Sequence, residues 1–105
     1  MSKLQAALLA TMLFCATSAE AVDLWGTIVW PSGKPASGIE LHLVQRGQVL
    51  PARIYTNSAG RYGLSNLSPP TTDYTLQVLR RGTVVKAVRL PRLRNGERIP
   101  NIAMP

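Results

Sequence analysis

Alternating apolar and polar residues form short segments along most of the chain, and turn-forming residues separate these segments. In residues 39–43, three apolar residues alternate with Glu40 and His42. A period of two predicts a strand with one buried face, and a polar outer face is typical of an antiparallel sheet. The same pattern predicts further strands over residues 24–30, 49–56, 62–64, 74–78 and 83–90, and a short final strand through Ile99 and Ile102.

Residues 56–67 are the segment around which the predicted fold is organised. Asn57 favours a turn through local side-chain hydrogen bonds, and Gly60 does so through its access to positive φ. Because Tyr62 and Leu64 then share one face, we predict the centre of a β-hairpin here. Glycine and proline mark other connections at residues 31–38, 46–48, 65–73, 81–82 and 91–97.

Two predicted strands have mixed patterns. The strand over residues 49–56 contains Pro51, which lacks a ladder donor and indicates an edge or a bulge. In residues 83–90, Lys86 shares a face with three apolar residues and Arg89 with two, which either a bulge or a two-sided environment would explain. No segment after residue 21 has a 3.6-residue apolar period, so no helix is predicted there. The fold class predicted is all-β, a single antiparallel β-sandwich of six or seven short strands of the prealbumin-like or Ig-like kind.

The first 21 residues have the layout of a helical secretory signal peptide. Lys3 precedes an apolar run that is too short to span a bilayer, and small residues at 19 and 21 suit cleavage after Ala21. An uncleaved anchor is the alternative, and lipid attachment at Cys15 is disfavoured by the bulky Phe14 before it. We therefore expect one domain over residues 22–105, in the periplasm or secreted, with no transmembrane segment after cleavage.

The composition of residues 22–105 excludes several kinds of chemistry. Cysteine is absent from this range, which excludes thiol catalysis and cysteine metal sites. His42 is the only histidine, and the carboxylates are scattered at Asp23, Glu40, Asp73 and Glu97. Because catalytic and metal-binding histidines act in constellations, we expect no catalytic site, no metal and no cofactor. A small hydrolase, the alternative, would need His42 beside an arginine and an acid in a cleft.

Arginine provides the strongest polar signal. Removing Lys3 and Glu20 from the twelve basic and five acidic residues leaves eleven against four, so the net charge stays at +7. Seven basic residues and one acid lie in the basic segment, residues 80–98, where we single out Arg89, Arg92, Arg94 and Arg98. The planar guanidinium suits phosphates and carboxylates, so the segment is a candidate site for lipopolysaccharide phosphates or lipid headgroups, an acidic polysaccharide or an acidic partner protein. Charge runs more often mark a solvated face, and this interpretation stays open. Without interleaved aromatic residues we expect no nucleic acid.

Two tryptophans give the second signal. Trp30 has the parity of Ile28 and is expected to cap one end of the core, whereas Trp25 lies on the opposite face. An outward tryptophan can stack on a sugar ring or fill a partner's pocket, so Trp25 is a candidate binding residue. A free edge strand would also allow a partner to add a strand of its own.

Four segments between Leu24 and Gly82 carry a resemblance to a known family, and they are Gly26-Thr27-Ile28, Ser32 to Leu41, Thr56 to Leu67 and Tyr74 to Val78. Together they resemble the carboxypeptidase regulatory-like domain family. The resemblance implies a transthyretin-like (prealbumin-like) β-sandwich, often exported in bacteria, and it carries no catalytic residue to this chain. The core that it implies consists of Ile28, Ile39, Leu41, Tyr62, Leu64, Leu67, Tyr74, Leu76 and Val78. Two departures are Trp30-Pro31 in the first loop and Pro70 to Asp73 before the tyrosine strand.

Taken together, these features predict a non-catalytic exported module that binds an envelope partner or supports an envelope assembly. The alternatives are a polyanion-binding module that uses the basic segment and, less favoured, a small transthyretin-like hydrolase. The hydroxyisourate hydrolases of that group end in Tyr-Arg-Gly-Ser, which the C-terminal residues here do not match.

Overall fold

A computed structural model of the protein describes residues 20–105, so nearly all of the predicted signal peptide lies outside the described residues. Eight strands follow in order: β1 Val22–Val29, β2 Glu40–Gln45, β3 Gln48–Val49, β4 Ile54–Tyr55, β5 Arg61–Leu67, β6 Tyr74–Arg80, β7 Thr83–Arg89 and β8 Ile102–Ala103. Within this range the helical content is one 3₁₀ turn, Thr71–Asp73. Residues 20–105 include no helix whose length and apolarity would let it cross a bilayer.

The strands form two sheets, which confirms the predicted β-sandwich class. One sheet has the order β5-β1-β8, and the other has the order β3-β2-β6-β7 with β4 also paired to β2. All pairs are antiparallel except one, because β8 lies parallel to β1 with Ile28 opposite Ile102. β8 is parallel to β1 because the chain returns from the end of β7 to the start of β1 and then runs in the same direction as β1.

The core lies between the two sheets and contains every predicted core residue. Each side chain of that predicted set is buried. The C-terminal residues add four more buried side chains, which are Leu90, Ile99, Ile102 and Met104. The last sixteen residues therefore complete the sandwich.

The turn at residues 57–60 is not the centre of a β-hairpin, contrary to our prediction. The side chain of Asn57 accepts hydrogen bonds from the Ala59 and Arg61 amides at 2.9 and 3.0 Å, so the chain does reverse tightly. However, β4 pairs with β2 and β5 pairs with β1, and the turn therefore connects the two sheets. The carbonyl of Gly60 accepts a 2.8 Å hydrogen bond from Ile28, which docks the turn onto β1.

The predicted strand over residues 49–56 is also wrong as a single element. It divides into the end of β3 and the whole of β4, with the Pro51 region unpaired between them. Both pieces pair with the same edge of β2, since proline cannot donate to the ladder that would join them. This division raises the strand count to eight from the six or seven expected.

Two Arg-Gly turns set the register of the larger sheet. Arg46 and Gly47 have φ values of 49° and 85°, and Arg81 and Gly82 have 53° and 81°. Positive φ at both central residues is the type I′ geometry that suits a two-residue hairpin. In the β6–β7 hairpin the register shifts by one residue at Val85, so a bulge, one of the two explanations left open, interrupts the alternation of β7.

Tyr62 packs against Gly26, its cross-strand neighbour. A Cβ atom at Gly26 would meet the Tyr62 hydroxyl oxygen and lie 2.6 Å from Cζ, so the ring occupies the space above the glycine. The Tyr62 hydroxyl is buried and has no hydrogen-bond partner among the described residues. Burial also raises the pKa of the Tyr62 phenol well above its usual range.

Candidate functional site

The outer face of the three-stranded sheet carries the most exposed tryptophan. In β1 the side chains alternate between core and solvent, and Trp25 lies on the solvent side with 36% of its surface exposed. Its partner in β5 is Gly63, whose missing side chain leaves the space opposite the indole open. The indole is therefore accessible to a ligand from this face.

Two arginines contact the Trp25 ring. The Cζ atom of Arg61 lies 5.3 Å from the ring centroid, and that of Arg98 lies 5.8 Å from it. Arg61 begins β5, where the Asn57 side chain holds its amide, and Arg98 forms a parallel bridge with Trp25 from the other side. Next to that bridge, the Ile99 amide donates a 2.7 Å hydrogen bond to the Trp25 carbonyl. Trp25, Arg61 and Arg98 thus form one cluster, which we call the Trp25 platform.

The Trp25 platform carries uncompensated positive charge. The two ion pairs among residues 20–105 are His42–Glu40 and Arg46–Asp73, so neither arginine of the platform has a carboxylate partner there. Contact with an aromatic ring restrains a guanidinium and leaves its N–H groups directed outward for hydrogen bonding. The platform therefore joins a partly exposed indole to two guanidinium groups whose donors have no carboxylate partner among the described residues.

The other predicted arginines lie elsewhere on the surface. Arg89 donates from Nε to the Thr72 carbonyl at 3.0 Å. Arg94 lines a cavity of about 540 Å³ at the start of β1, together with residues 20 and 21 of the predicted signal peptide. Arg92 is exposed. The structure thus brings Arg98 to Trp25 and leaves Arg89, Arg92 and Arg94 away from the ring, where their role stays a prediction.

Trp30 lies where the sequence predicted it. It is partly buried against the core, and the Cζ atom of Arg80 lies 5.5 Å from its ring centroid. Trp30 therefore caps the sandwich, and Trp25 remains the outward-facing tryptophan.

His42 lies on the outer face of the larger sheet, where its Nε2 is 3.1 Å from Glu40 Oε2. Both side chains are partly exposed. The hydrolase alternative requires an arginine and an acid beside His42 in a cleft, and residues 20–105 do not form that arrangement.

Arg61 is the platform residue that the sequence did not reveal. The alternation along β5 places Arg61 on the outer face of the sheet. Its contact with Trp25, however, depends on the β1–β5 register, which pairs Thr27 with Arg61 across 34 positions. The helpful signal was the glycine at position 63, because an outward glycine in a strand often marks a close approach by another group.

Comparisons with known proteins support the fold and go no further. No family model and no curated protein sequence matches the chain. Three solved structures are similar: a DUF3823 family protein from Bacteroides ovatus ATCC 8483, the dioxygenase domain of a dioxygenase carbohydrate-binding protein fusion from Streptomyces sp. SirexAA-E, and the C-terminal domain of the PapC usher.

The DUF3823 protein is 16% identical with a TM-score of 0.53, and the match covers 81% of this chain and 44% of that one. The dioxygenase domain is 13% identical with a TM-score of 0.50, covering 84% and 82%. The usher domain is 21% identical with a TM-score of 0.49, covering 74% and 95%, and this score is too low to carry an argument. At such identities the likeness shows a shared β-sandwich fold alone.

Proposed function

We propose that the protein is an exported, non-catalytic β-sandwich module that binds an anionic saccharide on the Trp25 platform. The observation that carries the proposal is the placement of two unpaired guanidinium groups within 6 Å of one exposed indole. Such a ligand would present carboxylates or phosphates to Arg61 and Arg98 and a sugar ring to Trp25.

The chemistry of the platform favours this ligand class over others. A guanidinium binds a planar carboxylate or a phosphate through two parallel hydrogen bonds, and an indole face packs well on the C–H groups of a sugar. The net charge of +7 would also concentrate polyanions near the surface. We further propose membership of the carboxypeptidase regulatory-like family and a role in the bacterial envelope; the matched turn and core residues and the β-sandwich support this assignment.

Calorimetric titration of the purified protein tests the proposal. Polygalacturonate supplies carboxylates, lipopolysaccharide supplies phosphates, and neutral dextran serves as the uncharged polymer. We expect one or both anionic ligands to bind, and binding to weaken steeply between low and high salt because surface charges are screened. Dextran should not bind measurably.

Variants then locate the binding surface. Trp25→Ala, and Arg61→Ala combined with Arg98→Ala, should each lower the affinity about tenfold or more, since a tenfold change needs only about 1.4 kcal/mol. The matched control is Arg53→Ala combined with Lys34→Ala, which removes the same charge from exposed loop positions. Equal losses in the control and the platform variants would reduce the effect to net charge and refute the site.

A further inference from the structure

The free edge of β7 offers main-chain groups for hydrogen bonding. Within the described residues β7 pairs on one side only, with β6. The Leu90 amide donates to the Tyr74 carbonyl at 3.0 Å, which fixes the phase of the ladder. The N–H and C=O groups of Ala87 and Arg89 therefore point away from β6, because hydrogen-bonded and non-hydrogen-bonded pairs alternate in an antiparallel ladder.

A groove lies beside this edge, between β7 and the C-terminal segment. Its volume is about 220 Å³, and its apolar lining is Val88, Pro91, Ile99, Pro100 and Ile102. Val88 faces the core side of the sheet, opposite Leu76. Side chains of a strand added to β7 that point toward the core would lie over these apolar groups.

The rim of the groove is cationic. Lys86 Nζ donates to the Ala103 carbonyl at 2.9 Å, and Arg89 Nε donates to the Thr72 carbonyl at 3.0 Å, so both cations are held in place by neutral acceptors. The one acid in the basic segment, Glu97, is engaged by the Arg94 amide. Both rim cations therefore lack a carboxylate partner among residues 20–105.

We infer that β7 docks an extended acidic peptide segment of a partner protein, which adds a strand along Lys86–Arg89. Such a segment satisfies the edge groups of Ala87 and Arg89 with its main chain, and the carboxylates on its outer face match Arg89. A second copy of the protein would bring the same cations against each other, and a polysaccharide lacks the alternating donors and acceptors of a peptide. The bulge at Val85 limits pairing to these four residues, so the docked segment is short.

The inference stands on different residues from the Trp25 platform, and its test is independent of the proposed function. The probe is a blocked eight-residue peptide that alternates glutamate and valine, added to the isotopically labelled protein. Two-dimensional NMR should show that the Ala87 and Arg89 amide signals shift on binding and that their hydrogen exchange slows. Trp25→Ala should leave this binding unchanged.

Two modified peptides serve as controls that leave the protein untouched. In the docked strand, the glutamates that lie over Arg89 are the residues whose N–H groups donate to the β7 edge. N-methylation of the glutamate amides removes these donors and should therefore lower the affinity about tenfold or more. Replacing glutamate by lysine should lower it to a similar degree.

Four results would overturn the inference. They are equal binding by the N-methylated peptide, protection of the Gly63 and Ser65 amides on the β5 edge in place of the β7 amides, and no binding at millimolar peptide. The fourth is a stronger perturbation of the Ala87 and Arg89 amides by polygalacturonate than by the peptide, which would assign this surface to glycans.

Discussion

Removing the Tyr62 hydroxyl should stabilise the protein, which is the opposite of what is usual for a buried tyrosine. Tyr62 is 4% exposed, and its hydroxyl has no partner among the described residues. A buried polar group without a hydrogen bond costs about 1–3 kcal/mol. Allowing for the small void that phenylalanine leaves, we expect Tyr62→Phe to raise the free energy of unfolding by about 1 kcal/mol.

Tyr74→Phe is the matched control. Tyr74 is as deeply buried, but its hydroxyl accepts a 2.8 Å hydrogen bond from the Ser68 amide. Removing it leaves that amide without its acceptor, so we expect a loss of about 1–1.5 kcal/mol. The same chemical change should therefore have opposite signs at the two positions.

Urea denaturation followed by tryptophan fluorescence measures both changes, and thermal unfolding checks them, since 1 kcal/mol shifts Tm by roughly 4–8 °C in a domain of 60–100 residues. The pH dependence adds a second readout. The pKa of the Tyr62 phenol is raised in the folded state. The stability linked to its protonation is therefore fully present below the unfolded-state pKa of about 10 and is lost as the pH rises above that value. Tyr62→Phe should reduce this alkaline loss. Destabilisation by Tyr62→Phe as large as that by Tyr74→Phe would refute the reasoning.

Three further substitutions test the packing by urea denaturation. Gly26→Ala should cost about 1–3 kcal/mol because its Cβ meets the Tyr62 ring. Combining it with Tyr62→Phe should recover part of the loss. An unchanged urea midpoint for the single variant would contradict the contact. Gly60→Ala should cost about 2 kcal/mol or more, since φ is +75° and the Cβ would lie 2.6 Å from the Ile28 carbonyl oxygen, whereas Gly33→Ala, with similar φ and open space, should cost less. Thr56→Val should cost about 2–3 kcal/mol because the buried hydroxyl makes two main-chain hydrogen bonds, and a neutral result would show that they do not contribute.

The sequence predicted what depends on local periodicity. Tyr62, Leu64, Leu76 and Val78 follow a period of two, and each is buried as expected. The Arg81-Gly82 turn was also readable, because a two-residue type I′ hairpin demands residues that tolerate positive φ.

What the sequence could not predict depends on which strands pair. Asn57 and Gly60 indicate a tight reversal, but the same turn chemistry serves a hairpin and a crossing between sheets. The parallel pairing of β8 with β1 is equally non-local, and it is this pairing that brings Arg98 to Trp25. The platform thus joins three residues that are 36 and 37 positions apart along the chain, beyond the reach of any local pattern.

The most direct test of the binding site is the indole N–H signal of each tryptophan in an NMR titration with oligogalacturonate. The account predicts that the Trp25 signal shifts at low salt and that the Trp30 signal, from the ring packed against the core, stays in place. Movement of the Trp30 signal alone, or of neither signal while the oligosaccharide binds, would contradict it.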